Sequence, residues 1–537
     1  QSHPILTVTD KDTRFIHGLH EEVLDLTLKW PCNMKQITTK RIATLFLCLV
    51  MVIPFACKDS MDDLNVNPNA PTNTNPDYLF TYSVVKGMGS YITNANFNYW
   101  TIMANFNYWT IMNWNMYFAT LGGVDAGKEY DSNDGKDAWW NEVYAQGLIN
   151  AREVQNLTNG NTYLINKNAI AKIWECYLFS QLTDAFGDIP YSQALNGKSL
   201  NLSPSYDKQS TIYPALINQL KNASALLDVS KPTFGGNSDP IFKGSVIKWQ
   251  QFANSLQLRL AMRISNVQPQ LTQQVLTELV GQPLLLTNAD NAYFPYNGEI
   301  RNPLFDLINS GQSGGRTYPS KFLIDYLKLT SDPRLKVFAQ YTTESMIIGF
   351  PDYEGVPNLV PSGSSIWNNY NSDGSDVSKI GTWFLRQDAP GVLMSAAEVN
   401  FLLSEAALNG WWSLGSPQQY YFDGINLSMQ SYPNSSITST QIANYLTVCQ
   451  PVTLEGIITQ KYISYAFQNG LESYSEYRRT GYPVLTDYSN NSINLTNFPN
   501  RLTYPAKEAS LNGANYNQAI IQQGPDIPTT KVWWDVN

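Results

Sequence analysis

Residues 169–195 read AIAKIWECYLFSQLTDAFGDIPYSQAL. Apolar side chains recur at Ile170, Ile173, Trp174, Tyr177, Leu178, Leu182, Ala185 and Phe186, the spacing that lines one face of an α-helix. Gly187 suits a left-handed C-terminal cap, and Pro190 three residues later cannot continue the helix. The stretch predicts a helix of roughly five turns, at about 3.6 residues each, ending in an abrupt turn. Cys176 falls on its apolar side and reads as core packing.

Helical periodicity returns on both sides. Asn141–Leu157 precedes this helix, and Ile212–Leu227 precedes Ile247–Ile264. Ser395–Asn409 then precedes Gln418–Tyr432, and a final helix is expected over about Leu454–Gln468. Helices of this size joined by short loops predict antiparallel hairpins, each burying its stripe against the next. Between the second and third pairs, residues 266–390 are rich in Gly, Pro, Asn and aromatics and predict loops.

The words within the pattern carry more. LTDAFGDIPYSQAL (182–195) resembles the signature of the SusD/RagB family, surface nutrient-binding lipoproteins of Bacteroidetes. NVNPNAPT (65–72), SKFLIDYLKLTSDPRLKVF (320–338), LESYSEYRRTG (471–481) and PNRLTYP (499–505) agree with it in the family's order. The resemblance covers residues 57–537. It implies a mainly α fold in which tetratricopeptide-like helical hairpins form a superhelical stack beside a loop-rich ligand-binding half. It also implies capture of oligomeric nutrient and delivery to a SusC-like TonB-dependent transporter, with the helical-repeat face packed against that partner.

The N-terminal region reads as export machinery. Residues 1–33 are unlike the rest and read as a non-native or misassigned extension. Met34 opens a signal peptide over 34–56, with Lys35, Lys40 and Arg41 ahead of an apolar run from Ile42 to Ala56. That run is short of the roughly 20 residues a membrane span needs. Ala56-Cys57 resembles a lipobox, making Cys57 the lipidated residue, and Lys58–Asp63 resembles the acidic tag that sends such lipoproteins to the exterior face of the outer membrane. An Asn/Pro-rich tether completes 57–76, and 77–537 reads as one domain. ANFNYWTIM at 95–103 recurs at 104–112, a tandem copy far below the roughly 20–50 residues of a solenoid unit.

Composition narrows the chemistry. The net charge of −9 argues against nucleic acid as a partner. All three histidines (His3, His17, His20) lie in the N-terminal extension, so the remaining chain has no Ser-His-Asp or Cys-His constellation and no histidine-bearing zinc site. Cys176 and Cys449 lack metal or disulfide spacing. Asp131–Asp137 and Asn371–Asp376 resemble calcium loops, but their glycines are misplaced for one, and both read as Asx turns. No cofactor, metal site or catalytic residue is therefore expected. A paired-carboxylate glycosidase stays open, since carboxylate spacing in sequence says little about spacing in space.

Aromatics supply 13% of the chain, many in polar loops. Trp109, Trp114 and Tyr117 with Asn113 form one cluster, and Trp139 and Trp140 a second. A third comprises Trp367, Tyr370 and Trp383, with Asn368, Asn369, Asp373 and Arg386 nearby in sequence. A flat ring offers a sugar's C–H face or a peptide's apolar side chain a large contact, while neighbouring polar groups bond its edges. The alternative is that such rings seal loops onto the helices. Trp174 and Trp249 lie on helix stripes and read as core. The family's loop-borne aromatic arc favours the first and third clusters as the ligand site. The reading is therefore surface binding of a glycan or an oligopeptide without catalysis, with a surface glycoside hydrolase and a helical protein scaffold as the competing classes.

Overall fold

Local chemistry sets the helix boundaries. The Asn75 side chain accepts from the Asp77 amide at 2.9 Å, and Pro76 opens α1 (Pro76–Gly87) where its missing N–H costs nothing. The computed structural model describes residues 74–88, 110–122, 133–197, 202–309, 316–485 and 498–537. Cys57, the signal-like stretch, the tether up to 73, Trp109 and all of the tandem repeat before Thr110 lie outside them. Next, α2 (Asn133–Glu142) continues through a π-helical stretch (Val143–Leu148) into α3 (Ile149–Thr158).

The decisive helix is α4 (Ile165–Phe186). It starts four residues before the quoted stretch and is buried nearly all round, not along one stripe. Its buried charged residues explain the difference, because each is paired inside. Arg152 donates to both Glu175 oxygens at 2.9 and 2.8 Å, and Tyr213 donates to Asp184. Gly187 ends the helix at φ +83°, and a Cβ there would lie 2.0 Å from Gln523 Oε1. Glycine is thus demanded by both backbone and space.

The stack continues with α5 (Gln209–Leu226), α6 (Val246–Arg263) and α7 (Pro269–Leu279), each packed on its predecessor. The loop-rich half contributes α8 (Pro303–Asn309) and α9 (Lys321–Leu329). Ser320 caps α9 by accepting from the Leu323 amide at 3.0 Å. Then come α10 (Ala396–Leu408), α11 (Pro417–Gln430), α12 (Ser439–Val448) and α13 (Leu454–Tyr465), with α10 packed on α6, α11 and α13. The helix at Leu454 is not the last. Asn469 caps a further helix, α14 (Gly470–Thr480), which closes on left-handed Gly481, and α15 (Gly513–Gln523) follows. LESYSEYRRTG is this helix, which the apolar periodicity missed because its buried side chains are charged.

Those charges meet at the centre. Arg259 and Arg263 on α6, Glu398 and Glu405 on α10, Lys461 on α13, and Glu472, Glu476 and Arg479 on α14 are all buried. Arg479 spans Glu405 at 2.6 and 2.7 Å and Glu476 at 2.8 Å, while Lys461 reaches Glu476 at 3.0 Å. Arg263 joins Glu472 and lies 2.9 Å from Glu476.

Six short strands complete the described fold: β1 (Phe118–Thr120), β2 (Ile189–Pro190), β3 (Tyr206–Asp207), β4 (Ala292–Phe294), β5 (Thr317–Pro319) and β6 (Gly391–Met394). They pair antiparallel as β1–β5, β2–β3 and β4–β6.

Candidate functional site

The β1–β5 ribbon organises the loop-rich half. Phe118 pairs with Pro319 and Ala119 with Tyr318, and successive side chains leave opposite faces of a strand. Phe118 joins a cluster with Phe338, Phe384, Tyr432 and Phe467, against which Trp383 packs. Ala119 joins a separate cluster with Tyr318, Val356 and Val377, against which Trp367 and Tyr370 pack. The aromatics 367, 370 and 383, read together from sequence, are therefore divided between two cores.

The first cluster faces inward. Asn113, Trp114 and Tyr117 are 5%, 3% and 0% exposed. The Tyr117 hydroxyl donates to the Tyr462 carbonyl at 2.6 Å and pairs with Ser473 Oγ at 2.8 Å, and its ring stacks on Tyr462 at 4.4 Å. Trp114 lies 5.7 Å from the Tyr474 ring. These side chains fasten the β1 region to α13 and α14 and offer no open ring face, which corrects their assignment as ligand contacts. Trp139 and Trp140 are likewise buried, both against Phe186 at the end of α4.

The third cluster remains at the surface. Trp367 and Tyr370 are half-buried with ring centroids 5.9 Å apart, and the Trp367 indole donates to the Pro361 carbonyl at 2.8 Å. Asn368 and Asn369 between them are exposed. The following loop is an Asx arrangement: the Asn371 amide donates to Asp376 at 3.0 Å and the Ser375 amide to Asp373 at 3.0 Å. Burial and the neighbouring Glu354 raise the Tyr370 hydroxyl pKa, so it stays protonated and can donate. Arg386 is exposed, lies over the Trp383 ring at 5.6 Å and pairs with Asp388 at 2.9 Å. That hydrogen bond holds the Asp388 carboxyl below its usual range.

Asn302 is a residue the sequence did not single out. It is buried, and it clasps two loops together. Its amide donates to the Gln387 carbonyl at 2.8 Å, its side chain donates to the Ala389 carbonyl at 2.8 Å, and its side-chain oxygen accepts from the Leu304 amide at 2.8 Å. One loop carries Arg386 over Trp383. The other carries Arg301 over Phe305 at 5.8 Å and 2.9 Å from Asp306. Burial raises the Asp306 pKa, and Arg301 opposes that rise.

Beside the clasp lies a half-open cavity of about 100 Å³. Pro303 and Pro390 wall it on the clasp side, Tyr177, Leu178 and Gln181 of α4 form its floor, and Gln468 and Asn469 enter from the turn before α14. Tyr296 stands against Gly391, where a Cβ would lie 2.9 Å from its ring. Tyr296 sits in FPYNGEIRNP (294–303), an aromatic in an Asn/Gly loop like those singled out, two residues after Phe294 of β4, whose ring lies 5.0 Å away. The two clasped loops carry rings, guanidinium donors and carboxylate acceptors, and Pro303 and Pro390 on them line the recess.

A family model described as "SusD-like_2: Starch-binding associating with outer membrane" matches residues 69–505. No curated protein matches the chain. Among solved structures, a chitin-binding protein is similar at 29% identity and a TM-score of 0.75, over 86% of this chain and 100% of its own. A chitin-binding SusD homolog from Flavobacterium johnsoniae is 26% identical with a TM-score of 0.70, over 85% and 99%. A SusD homolog from Bacteroides uniformis is 25% identical with a TM-score of 0.70, over 86% and 100%.

Proposed function

The chain belongs to the SusD-like family, and from that premise we propose that it binds a glycan at the cell surface and delivers it to a TonB-dependent outer-membrane transporter. The observation that carries the glycan assignment is the Asn302 clasp, which holds Arg386–Trp383 and Arg301–Phe305 on two joined loops beside an uncharged recess. Aromatic rings meet the C–H faces of a sugar, and each guanidinium with its carboxylate supplies the donor and acceptor that a hydroxyl pair needs. The chitin-binding structures similar to this chain support a carbohydrate over a peptide. Trp367 and Tyr370 give a second ring ledge for a longer chain.

The chemistry is binding without bond cleavage. Asp388 is held ionised by Arg386 and exposed to water, so it accepts hydrogen bonds and is a poor general acid near neutral pH. Among the described residues no helix is long and apolar enough to cross a membrane. In this reading the attachment is lipid on Cys57, with the helical stack docked on the transporter.

The test is a titration with chitin-, starch- and cellulose-derived oligosaccharides and with oligopeptides, followed by tryptophan fluorescence and product analysis together. Saturable glycan binding without product, weakened in Arg386→Ala, is expected. Release of cleaved product, or saturable binding of peptides alone, would overturn the reading.

A further inference from the structure

We infer that the cavity beside the Asn302 clasp receives the acetamido group of a 2-acetamido-2-deoxy sugar, so that the site selects N-acetylated glycans. The inference rests on the glycan-binding reading above and adds the substituent that is recognised.

Size comes first. A cavity of about 100 Å³ is smaller than the roughly 150 Å³ that takes up benzene, so it admits a substituent and not a whole pyranose ring. A hydroxymethyl group, with two heavy atoms, would leave most of it unfilled. An acetamido group brings a methyl, a carbonyl and an N–H in one planar unit.

Charge comes next. None of the described residues lining the cavity is charged. A sugar carboxylate or sulfate would lose its hydration there with no cation to replace it. A neutral amide carries no such penalty.

The polar groups then match. The side-chain amides of Gln181 on α4 and Gln468 before α14 line the cavity, are half-buried, and make no hydrogen bond to another described residue. The Asn469 oxygen, by contrast, already accepts from the Glu472 amide at 3.3 Å. A carboxamide both donates and accepts, so the two glutamines can answer the N–H and the C=O of an acetamido group. Pro303, Pro390 and Leu178 supply apolar wall for the methyl.

Cellulose- and chitin-derived oligosaccharides of equal length share the β-1,4 glucan backbone and differ only at C2, hydroxyl against acetamido. Calorimetric titration of the full chain is expected to give about tenfold tighter binding of the chitin-derived oligomer, near the energy of one to two hydrogen bonds. The double variant Gln181→Leu with Gln468→Leu is expected to abolish most of that ratio, with the loss falling chiefly on the chitin-derived oligomer. Leu471→Phe, which fills the cavity from a half-buried wall position, is expected to do the same by exclusion. Equal affinity for the two oligomers, or a preference that survives both changes, would overturn the inference while leaving glycan binding intact. Failure of every glycan to bind would remove the underlying reading as well.

Discussion

Arg259 on α6 and Glu398 on α10 form a bidentate ion pair, Nε to Oε1 at 2.5 Å and Nη2 to Oε2 at 2.7 Å, with both side chains 1% exposed or less. Arg259 also donates to the Leu393 carbonyl at 2.8 Å and lies 3.6 Å from Glu472. One guanidinium therefore serves two buried carboxylates and the end of a strand. Arg259→Leu strands Glu398, while Glu472 keeps Arg263, and removing one member of a buried pair typically costs about 3–5 kcal/mol. Urea unfolding should show a midpoint far below that of the unchanged protein, whereas a loss under about 1 kcal/mol would mean that water replaces the arginine.

Acid sensitivity follows from the same network. Burial opposes ionisation of Glu476, but Arg479, Lys461 and Arg263 outweigh it and hold its pKa well below the ordinary value. A depressed carboxylate contributes stability that is present above its unfolded pKa of about 4.3 and lost as pH falls through the folded value. Asp184 and Glu398 are raised, chiefly by burial, and give the opposite slope just above that point. Stability measured against pH should fall steeply below about pH 4, and Glu476→Gln should flatten that acid limb while lowering stability at neutral pH.

The inward placement of the first aromatic cluster separates folding from binding. Tyr117→Phe keeps the stacked ring and removes two hydrogen bonds, to the Tyr462 carbonyl and Ser473 Oγ. A loss of about 1–3 kcal/mol is expected, with glycan affinity unchanged. Weakened binding at full stability would place Tyr117 in the site after all.

Arg386 gives the reverse pattern. Its side chain is 42% exposed and paired with an exposed Asp388, so Arg386→Ala should move stability by less than about 0.5 kcal/mol. Affinity for glycan should drop roughly ten- to hundredfold, the value of one charge-assisted hydrogen bond. Arg301→Ala on the clasped loop should match it within a few fold, as read by the same titration.

Gly187→Ala tests the end of α4. The Gln523 amide, which the new Cβ would strike, also accepts from the Asp188 amide at 2.5 Å and donates to the Phe186 carbonyl at 3.1 Å. Together with the strain at φ +83° this predicts a loss above about 1 kcal/mol in thermal or urea unfolding. A neutral change would show that Gln523 moves aside freely.

What could be read from the sequence depended on how far each signal reaches along the chain. The helices around 170, 217, 255 and 402 are local patterns with the expected period, and they fold within a few residues of the expected ends. α14 escaped because Glu472, Glu476 and Arg479 are buried charges whose partners come from α6, α10 and α13. Burial of Trp114 and Tyr117 depends on contacts about 350 residues away, beyond any window that sees only Asn-rich loop. Trp367 and Trp383 are parted by the facing of Phe118 and Ala119 on one strand, a consequence of pairing with β5. The clasp residue Asn302 is legible only as one of many loop asparagines; what sets it apart is three hydrogen bonds, two of them to a segment more than 80 residues on.

Those three bonds also bear on speed. Two loops that had to find each other around a sugar would spend binding energy on their own ordering and would slow capture. Joined through a buried amide, they meet the ligand already assembled, so association should proceed at a rate set by diffusion and orientation, and the entropy of loop closure is met once, when the chain folds. A surface protein that must seize a passing oligomer and release it again gains from that division, because the hold can be modest while the catch is fast.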